Sequence, residues 1–288
     1  MRIVRFSRPD QSVGWGLRSS SGIQDVSLAD PTLPHSTNEL IANWSTWVER
    51  LHRHAEEFAT SEQVLTLLCP LTVPKKILCI GLNYRDHAIE TGSPIPTEPV
   101  VFCKMPNAMI GPDEPILLPK VSNEVDYEAE LVVVIGKRLR HASEEQASDG
   151  IFGYSVGHDV SARDWQKNKP GKQWFLGKSF DSFAPLGPAI VTADSVPDPT
   201  NLRISCKING ELLQNSSTKE LIFKPIELVS YISQVMTLEP GDVIYTGTPS
   251  GVGVARKPNR FLKDGDVAEI EIESLGVLRN PCVLERLM

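Results

Sequence analysis

The sequence contains no Cys-x-x-Cys, and its five cysteines, Cys69, Cys79, Cys103, Cys206 and Cys282, are odd in number and far apart. That argues against a disulfide framework and a thiolate zinc site, and it points to a reducing compartment. No apolar run approaches the ~18 residues needed to span a bilayer. The opening Met-Arg-Ile-Val-Arg-Phe has no apolar signal core. The net charge is −7 and there is no basic stripe, which argues against a nucleic-acid-binding face. Internal repeats and low-complexity tracts are also missing. These absences lead us to expect a soluble, intracellular protein of the cytoplasm or mitochondrial matrix, with neither nucleic acid nor membrane as a partner. A transit peptide cleaved from a longer precursor stays open.

What is present is an ordinary globular composition. A chain of 288 residues, 41% of them hydrophobic, can bury a substantial core as one large domain or a medium one with a smaller companion. Residues 2–6, 13–18 and 22–26 read as short strands separated by Pro, Ser and Gly. Ser36 with Glu39 three positions on forms a capping box, so a helix should follow. Leu40, Ile41, Trp44, Trp47, Val48, Leu51 and Phe58 recur at helical spacing and define its packing face. The two tryptophans belong to that face as core or interface, not to a cofactor box. Cys69-Pro70-Leu71-Thr72-Val73-Pro74 then forms a Pro-punctuated connector, which sets a small N-terminal module, 1–72, before a main body, 73–288.

The main body carries the chemistry. Leu-Val-Val-Val-Ile at 131–135, closed by Gly136, reads as a buried strand. Glu128 and Glu130 stand two apart at its mouth, so in a strand both side chains share one face. A second strand over 154–160 carries Asp159 near its end. Neighbouring carboxylates repel unless a proton or cation lies between them. Three of them at the mouths of two strands fit a hard, oxygen-seeking ion such as Mg²⁺, Mn²⁺ or Ca²⁺. The competing reading is three acids at strand ends, solvated or paired with Lys137, Arg138 or Arg163.

Other polar residues stand near the presumed core. His87 and Glu90 are neighbours if their segment is helical, and a carboxylate beside an imidazole orients the ring and raises its basicity. An inert surface pair has the same spacing. The hinge-like Thr91-Gly92-Ser93-Pro94-Ile95-Pro96 follows, as expected of a flap carrying His87. Lys104 is a cation whose destination the sequence leaves open. Lys178 sits among Trp174, Phe175, Leu176 and Phe180, where it either pairs with an acid, binds an anion, or snorkels to the surface. The loop Thr246-Gly247-Thr248-Pro249-Ser250-Gly251-Val252-Gly253 supplies backbone N–H groups and hydroxyls for a ligand's oxygens. It lacks the Gly-Lys-Ser/Thr ending of a P-loop, which argues against a nucleotide.

Five ordered segments resemble the fumarylacetoacetate hydrolase family: Gly81-Leu82-Asn83-Tyr84-Arg85-Asp86-His87, Asp126-Tyr127-Glu128-Ala129-Glu130-Leu131, Asp159-Val160-Ser161-Ala162-Arg163-Asp164, Leu176-Gly177-Lys178-Ser179-Phe180, and the 246–253 loop. The N-terminal module, with Asp164-Trp165-Gln166 and Gly171-Lys172-Gln173-Trp174, is most similar to its domain-containing protein 2 subgroup. The resemblance implies a β-rich α+β fold, a mixed β-sandwich roll with a small N-terminal α+β module. It further implies a homodimer and a Mg²⁺ or Mn²⁺ site that acts on acylpyruvates, oxaloacetate and related 2-oxo or 2,4-dioxo acids.

Carried over by position, the resemblance makes Glu128, Glu130 and Asp159 the metal ligands and His87 with Glu90 the water-activating dyad. It sets Lys178 against the substrate oxygens, Thr248 on the substrate carboxylate, and Arg163 and Gln166 along the same pocket. The leading expectation is a metal-dependent hydrolase cleaving a carbon–carbon bond in an acylpyruvate. The second is an oxaloacetate tautomerase or decarboxylase using the same site. A third, a metal-binding scaffold without turnover, sits poorly with so complete a set of polar residues.

Overall fold

The computed structural model of the protein describes residues 1–57, 60–61 and 64–286. Its central strand is Ala129–Ile135, and all seven residues are buried. A strand flanked on both edges and covered on both faces needs an unbroken apolar run, which is what Leu-Val-Val-Val-Ile provides. It pairs antiparallel with Ile151–His158 on one edge and with Val243–Tyr245 on the other. On the first side the sheet continues through Ala184–Thr192 to Arg2–Ser7, Val13–Ser19 and Gly22–Gln24. On the other it passes through Ile77–Gly81 to the edge strand Val100–Lys104. Pairing is mixed, since Val243–Tyr245 runs parallel to Ile77–Gly81. A second sheet joins Glu211–Ser217, Arg203–Ile208, Val267–Ile272, Gly276–Leu284 and Ile116–Leu118 in that order. Ile204, Ile270 and Leu278 of this sheet share one buried cluster with Leu131 and Val156 of the first. The result is the β-rich α+β architecture expected.

Local signals account for the short elements between the strands. Asn209 and Gly210 both take positive φ, 53° and 82°, between Arg203–Ile208 and Glu211–Ser217, as a type I′ hairpin requires. Ser143 and Gln146 form a reciprocal capping box on the helix Glu144–Gly150. The expected long helix after Ser36 is in fact two, Thr37–Ala42 and Trp44–Glu56, broken at Asn43. Asn43 leaves helical geometry (ψ 28°) and its side-chain amide donates to the Glu39 carbonyl, a local bond that competes with the helix. Trp44 and Trp47 are partly buried against the core, and Trp44 meets Phe152 edge-on at 4.9 Å. Phe58, counted on that face, lies outside the described residues.

The first residues enter the main sheet directly: Arg2 and Ile3 pair with Val191 and Ile190. Ile3, Trp15, Leu40, Ile41 and Leu51 belong to the same buried cluster as the central strand. A division after residue 72 remains a proposal about modularity, resting on the proline-rich connector, and shared burial argues that neither piece folds alone. Losing one buried large side chain costs about 2–5 kcal/mol against a total stability of about 5–15 kcal/mol. Residues 73–288 expressed alone should therefore show no cooperative thermal transition by circular dichroism. A soluble fragment melting as sharply as the whole chain would make 72/73 a true domain boundary.

Candidate active site

The central strand and its neighbour deliver three carboxylates to one place. Asp126, Glu128 and Glu130 alternate along the chain and share a face. The bridge pairing of Ser161 with Asp126 and Ala162 with Val125 sets the segment after His158 beside them. The Asp159 N–H then donates to the Glu128 carbonyl at 3.0 Å. Ligand oxygens of Glu128, Glu130 and Asp159 consequently lie within 4.8 Å of one another, and all three residues are buried.

Cations converge on two of the three. The Lys178 ammonium bridges Glu128 Oε2 at 2.6 Å and Asp159 Oδ2 at 2.7 Å. Lys104, unread in the sequence, ends 2.5 Å from Asp159 Oδ1 with a wholly buried side chain. It also donates to the carbonyls of Val160 and Phe183. Arg163 donates from Nη2 to Glu128 Oε1 at 2.5 Å, from Nε to Asp126 Oδ2 at 2.8 Å, and from Nη1 to Gln166 Oε1 at 3.0 Å. Asp126 itself is anchored by the N–H groups of Gly253 and Val254. Burial alone would raise the Glu128 carboxyl, but Arg163 and Lys178 hold it far below the usual carboxylate range. Burial would likewise lower the Lys178 ammonium, but Asp159 and Glu128 raise it above the ordinary lysine value.

Glu130 differs. Among the described residues no cation lies within ion-pair distance of it, and its one protein hydrogen bond comes from the Gly247 N–H at 2.8 Å. Burial, followed by the charges of Asp159 and Glu128, drives its carboxyl well above the usual range. Gly247 reaches it because φ is +100° and a Cβ there would stand 2.7 Å from the Asn83 Cβ. Asn83 fixes this loop, donating to the Thr246 carbonyl at 2.7 Å.

Glu128, Glu130, Asp159, Arg163 and Lys178 line a cavity of about 300 Å³ that also takes in His87, Gln166, Lys167 and Thr248, with Ile80, Leu82, Phe102, Trp174 and Val254 as its apolar wall. Lys178 reaches it because Gly177 packs on the Gln166 backbone, 2.8 Å from where its Cβ would be. His87 lies on the helix Arg85–Thr91, ended by Gly92 in the left-handed region, and its Nδ1 is 3.1 Å from Glu90 Oε2. Glu90 does not line the cavity. It stands behind His87 and also accepts from the Gly251 N–H at 2.9 Å, tying this helix to the 246–253 loop. Thr248 Oγ1 accepts from Gln214 Nε2 at 2.9 Å. Every residue expected from the sequence is thus in or directly behind one cavity. Lys104, Asp126 and Gln214 escaped sequence reasoning, although Asp126 shares the two-residue alternation of Glu128 and Glu130. His158, also missed, is fully buried with no hydrogen-bond partner at either ring nitrogen among the described residues, and burial pushes it down to about 3.

Residues 76–283 match the model of the fumarylacetoacetate (FAA) hydrolase C-terminal domain. This chain belongs to the fumarylacetoacetate hydrolase family. Family relatives include a mitochondrial oxaloacetate tautomerase of Xenopus laevis, 47% identical over 98% of this chain and 90% of its own. A second, from Bos taurus, is 47% identical over 98% of this chain and 92% of its own. Among solved family structures, maleylpyruvate hydrolase from Sphingobium sp. SYK-6, in complex with manganese (II) ion and pyruvate, is 30% identical with a TM-score of 0.81. It covers 99% of this chain and 100% of its own. The chain is therefore of an enzyme family whose members include tautomerases and hydrolases.

The residues of this family member fit a divalent cation. The donors are all carboxylate oxygens, the set that hard ions prefer. Glu130 supplies a buried carboxyl with no cation partner among the described residues, and a bound cation would favour its ionised form. An ion bound only by the folded state stabilises it by about 2.7 kcal/mol at a hundredfold excess over Kd, worth several degrees in melting temperature. Adding Mg²⁺ or Mn²⁺ to chelator-treated protein should raise the melting temperature by that amount, and Glu130→Gln should abolish the rise. An equal rise in parent and variant would remove Glu130 from the ion's coordination.

Proposed function

We propose that the protein is an oxaloacetate keto–enol tautomerase that works with Mg²⁺ or Mn²⁺. The observation carrying the proposal is the meeting, in one cavity, of an ammonium held between two carboxylates and an imidazole backed by a third. Enolisation asks for those two things: a base near the carbon that loses a proton, and positive charge near the oxygen that gains one. His87 has its Nδ1 bound to Glu90, which leaves Nε2 for a C3 proton. Lys178 cannot leave, since two carboxylates hold it, and its charge stands ready for the C2 oxygen. The proton lost from carbon is balanced by one gained on oxygen, so no water is consumed. A divalent ion at Glu128, Glu130 and Asp159 would add Lewis-acid polarisation of the 2-oxo group. In this reading Thr248 and Gln166 hold the substrate carboxylate, and Arg163, which lines the same cavity and donates to Gln166 Oε1, fixes the orientation of that amide.

The names of the two vertebrate relatives support oxaloacetate as the substrate. Carbon–carbon hydrolysis of an acylpyruvate, which the sequence placed first, becomes the second reading. It is favoured by the His87–Glu90 pair, which could deprotonate water, and by the maleylpyruvate hydrolase of the same fold, but that neighbour shares only 30% identity. Loss of CO₂ from oxaloacetate would use the same charge at the same oxygen. We place the protein in mitochondria with its relatives, and as a homodimer. Val100, Val101 and Met105 on and beside the edge strand, with Phe175 and Leu176, leave an exposed apolar surface that a second copy would cover.

The enol absorbance of oxaloacetate should relax faster with enzyme present, stop doing so in excess chelator, and recover with Mg²⁺ or Mn²⁺. His87→Ala should slow it by about 10²-fold, the usual loss for a general base. Acetylpyruvate should be left intact. Release of acetate and pyruvate without faster enol decay would instead establish the hydrolase reading, and CO₂ release the decarboxylase.

A further inference from the structure

Arg163, Gln166 and Lys167 stand at i, i+3 and i+4 of the helix Arg163–Asn168, so they share one face, and all three line the cavity. Arg163 and Lys178, the other Arg and Lys side chains lining it, are each committed to two carboxylates. Lys167 is not: among the described residues it has no ion pair. It is exposed as well as lining the cavity, so it stands where the cavity meets solvent. Partial burial and the Arg163 charge both hold the Lys167 ammonium below its ordinary value, and nearby Asp126, Glu128 and Glu124 only partly offset them.

The pairing of the other cations points the same way. Lys104, Arg163 and Lys178 are taken by Asp126, Glu128 and Asp159. Among the described residues this leaves Lys167, at the mouth, as the lining Lys or Arg open to a second carboxylate. We propose that Lys167 is the specificity-determining residue that receives the second carboxylate of a four-carbon 2-oxo diacid and so selects diacids over mono-acids. The inference rests on the tautomerase reading for its substrate, yet it concerns binding and can be measured without turnover.

The test compares oxaloacetate with its 4-ethyl ester, nearly the same shape with the second charge removed, on the Mg²⁺-loaded protein. In the parent, oxaloacetate should be preferred at least tenfold in calorimetric affinity and in kcat/KM, through KM rather than kcat. Lys167→Met should bring both ratios to near one, and Lys167→Arg should restore most of the preference. A diacid preference unchanged in Lys167→Met would overturn the inference, and so would a parent that binds acid and ester alike. If the parent binds the diacid but does not enolise it, the tautomerase reading fails. The calorimetric ratios would still decide the role of Lys167.

Discussion

Like-charge repulsion inside the protein is the constraint around which the structure is arranged. Four carboxylates are buried within a few residues of the central strand, and each would incur a penalty of several kcal/mol if left unpaired. Lys104, Arg163 and Lys178 answer three of them with ion pairs of 2.5–2.8 Å. Glu130 is answered by a single backbone N–H. A protein selected for stability alone would have no reason to bury a fourth acid there, since well-packed apolar residues serve at least as well. The surplus charge has a purpose if an ion completes the set.

The sheet makes this arrangement rigid. Glu130 lies within the central strand, hydrogen-bonded on both sides, and Asp159 follows immediately on its neighbour. The 246–253 loop extends the strand on the other edge and is held along its length, by Asn83 at Thr246, Glu130 at Gly247, Gln214 at Thr248, Glu90 at Gly251 and Asp126 at Gly253. Glu90 thereby links the imidazole it orients to the loop that carries Thr248. A shift in the His87 helix would be felt at both the base and the loop, so base and substrate contacts are held in common register.

Much of this was legible in the chain. The two-residue spacing of Glu128 and Glu130 beside a β-branched run is a local signal, and it survives folding because a strand preserves alternation. His87 and Glu90 were legible for the same reason in a helix. Lys178 was recognisable as an unusual lysine, but its partners at positions 128 and 159 are far away in sequence and depend on sheet order. Lys104 gave no signal, because its meaning comes only from the crossing of an edge strand with residues 159–183. The break at Asn43 was missed because an apolar stripe can continue across a kink. The pairing of Arg2–Ser7 with Ala184–Thr192 is likewise a contact between distant segments that local pattern cannot supply. Resemblance to known family motifs bridged these gaps for the site, and it ranked hydrolysis ahead of tautomerisation only because both reactions use the same residue types.

The most direct test is anomalous X-ray scattering from crystals grown with Mn²⁺. The account predicts one strong peak per chain, about 2.0–2.6 Å from one oxygen each of Glu128, Glu130 and Asp159. It also predicts that Lys178 keeps its contact with at least one of those carboxylates. A well-ordered site with no peak, or with manganese bound only elsewhere, would contradict it.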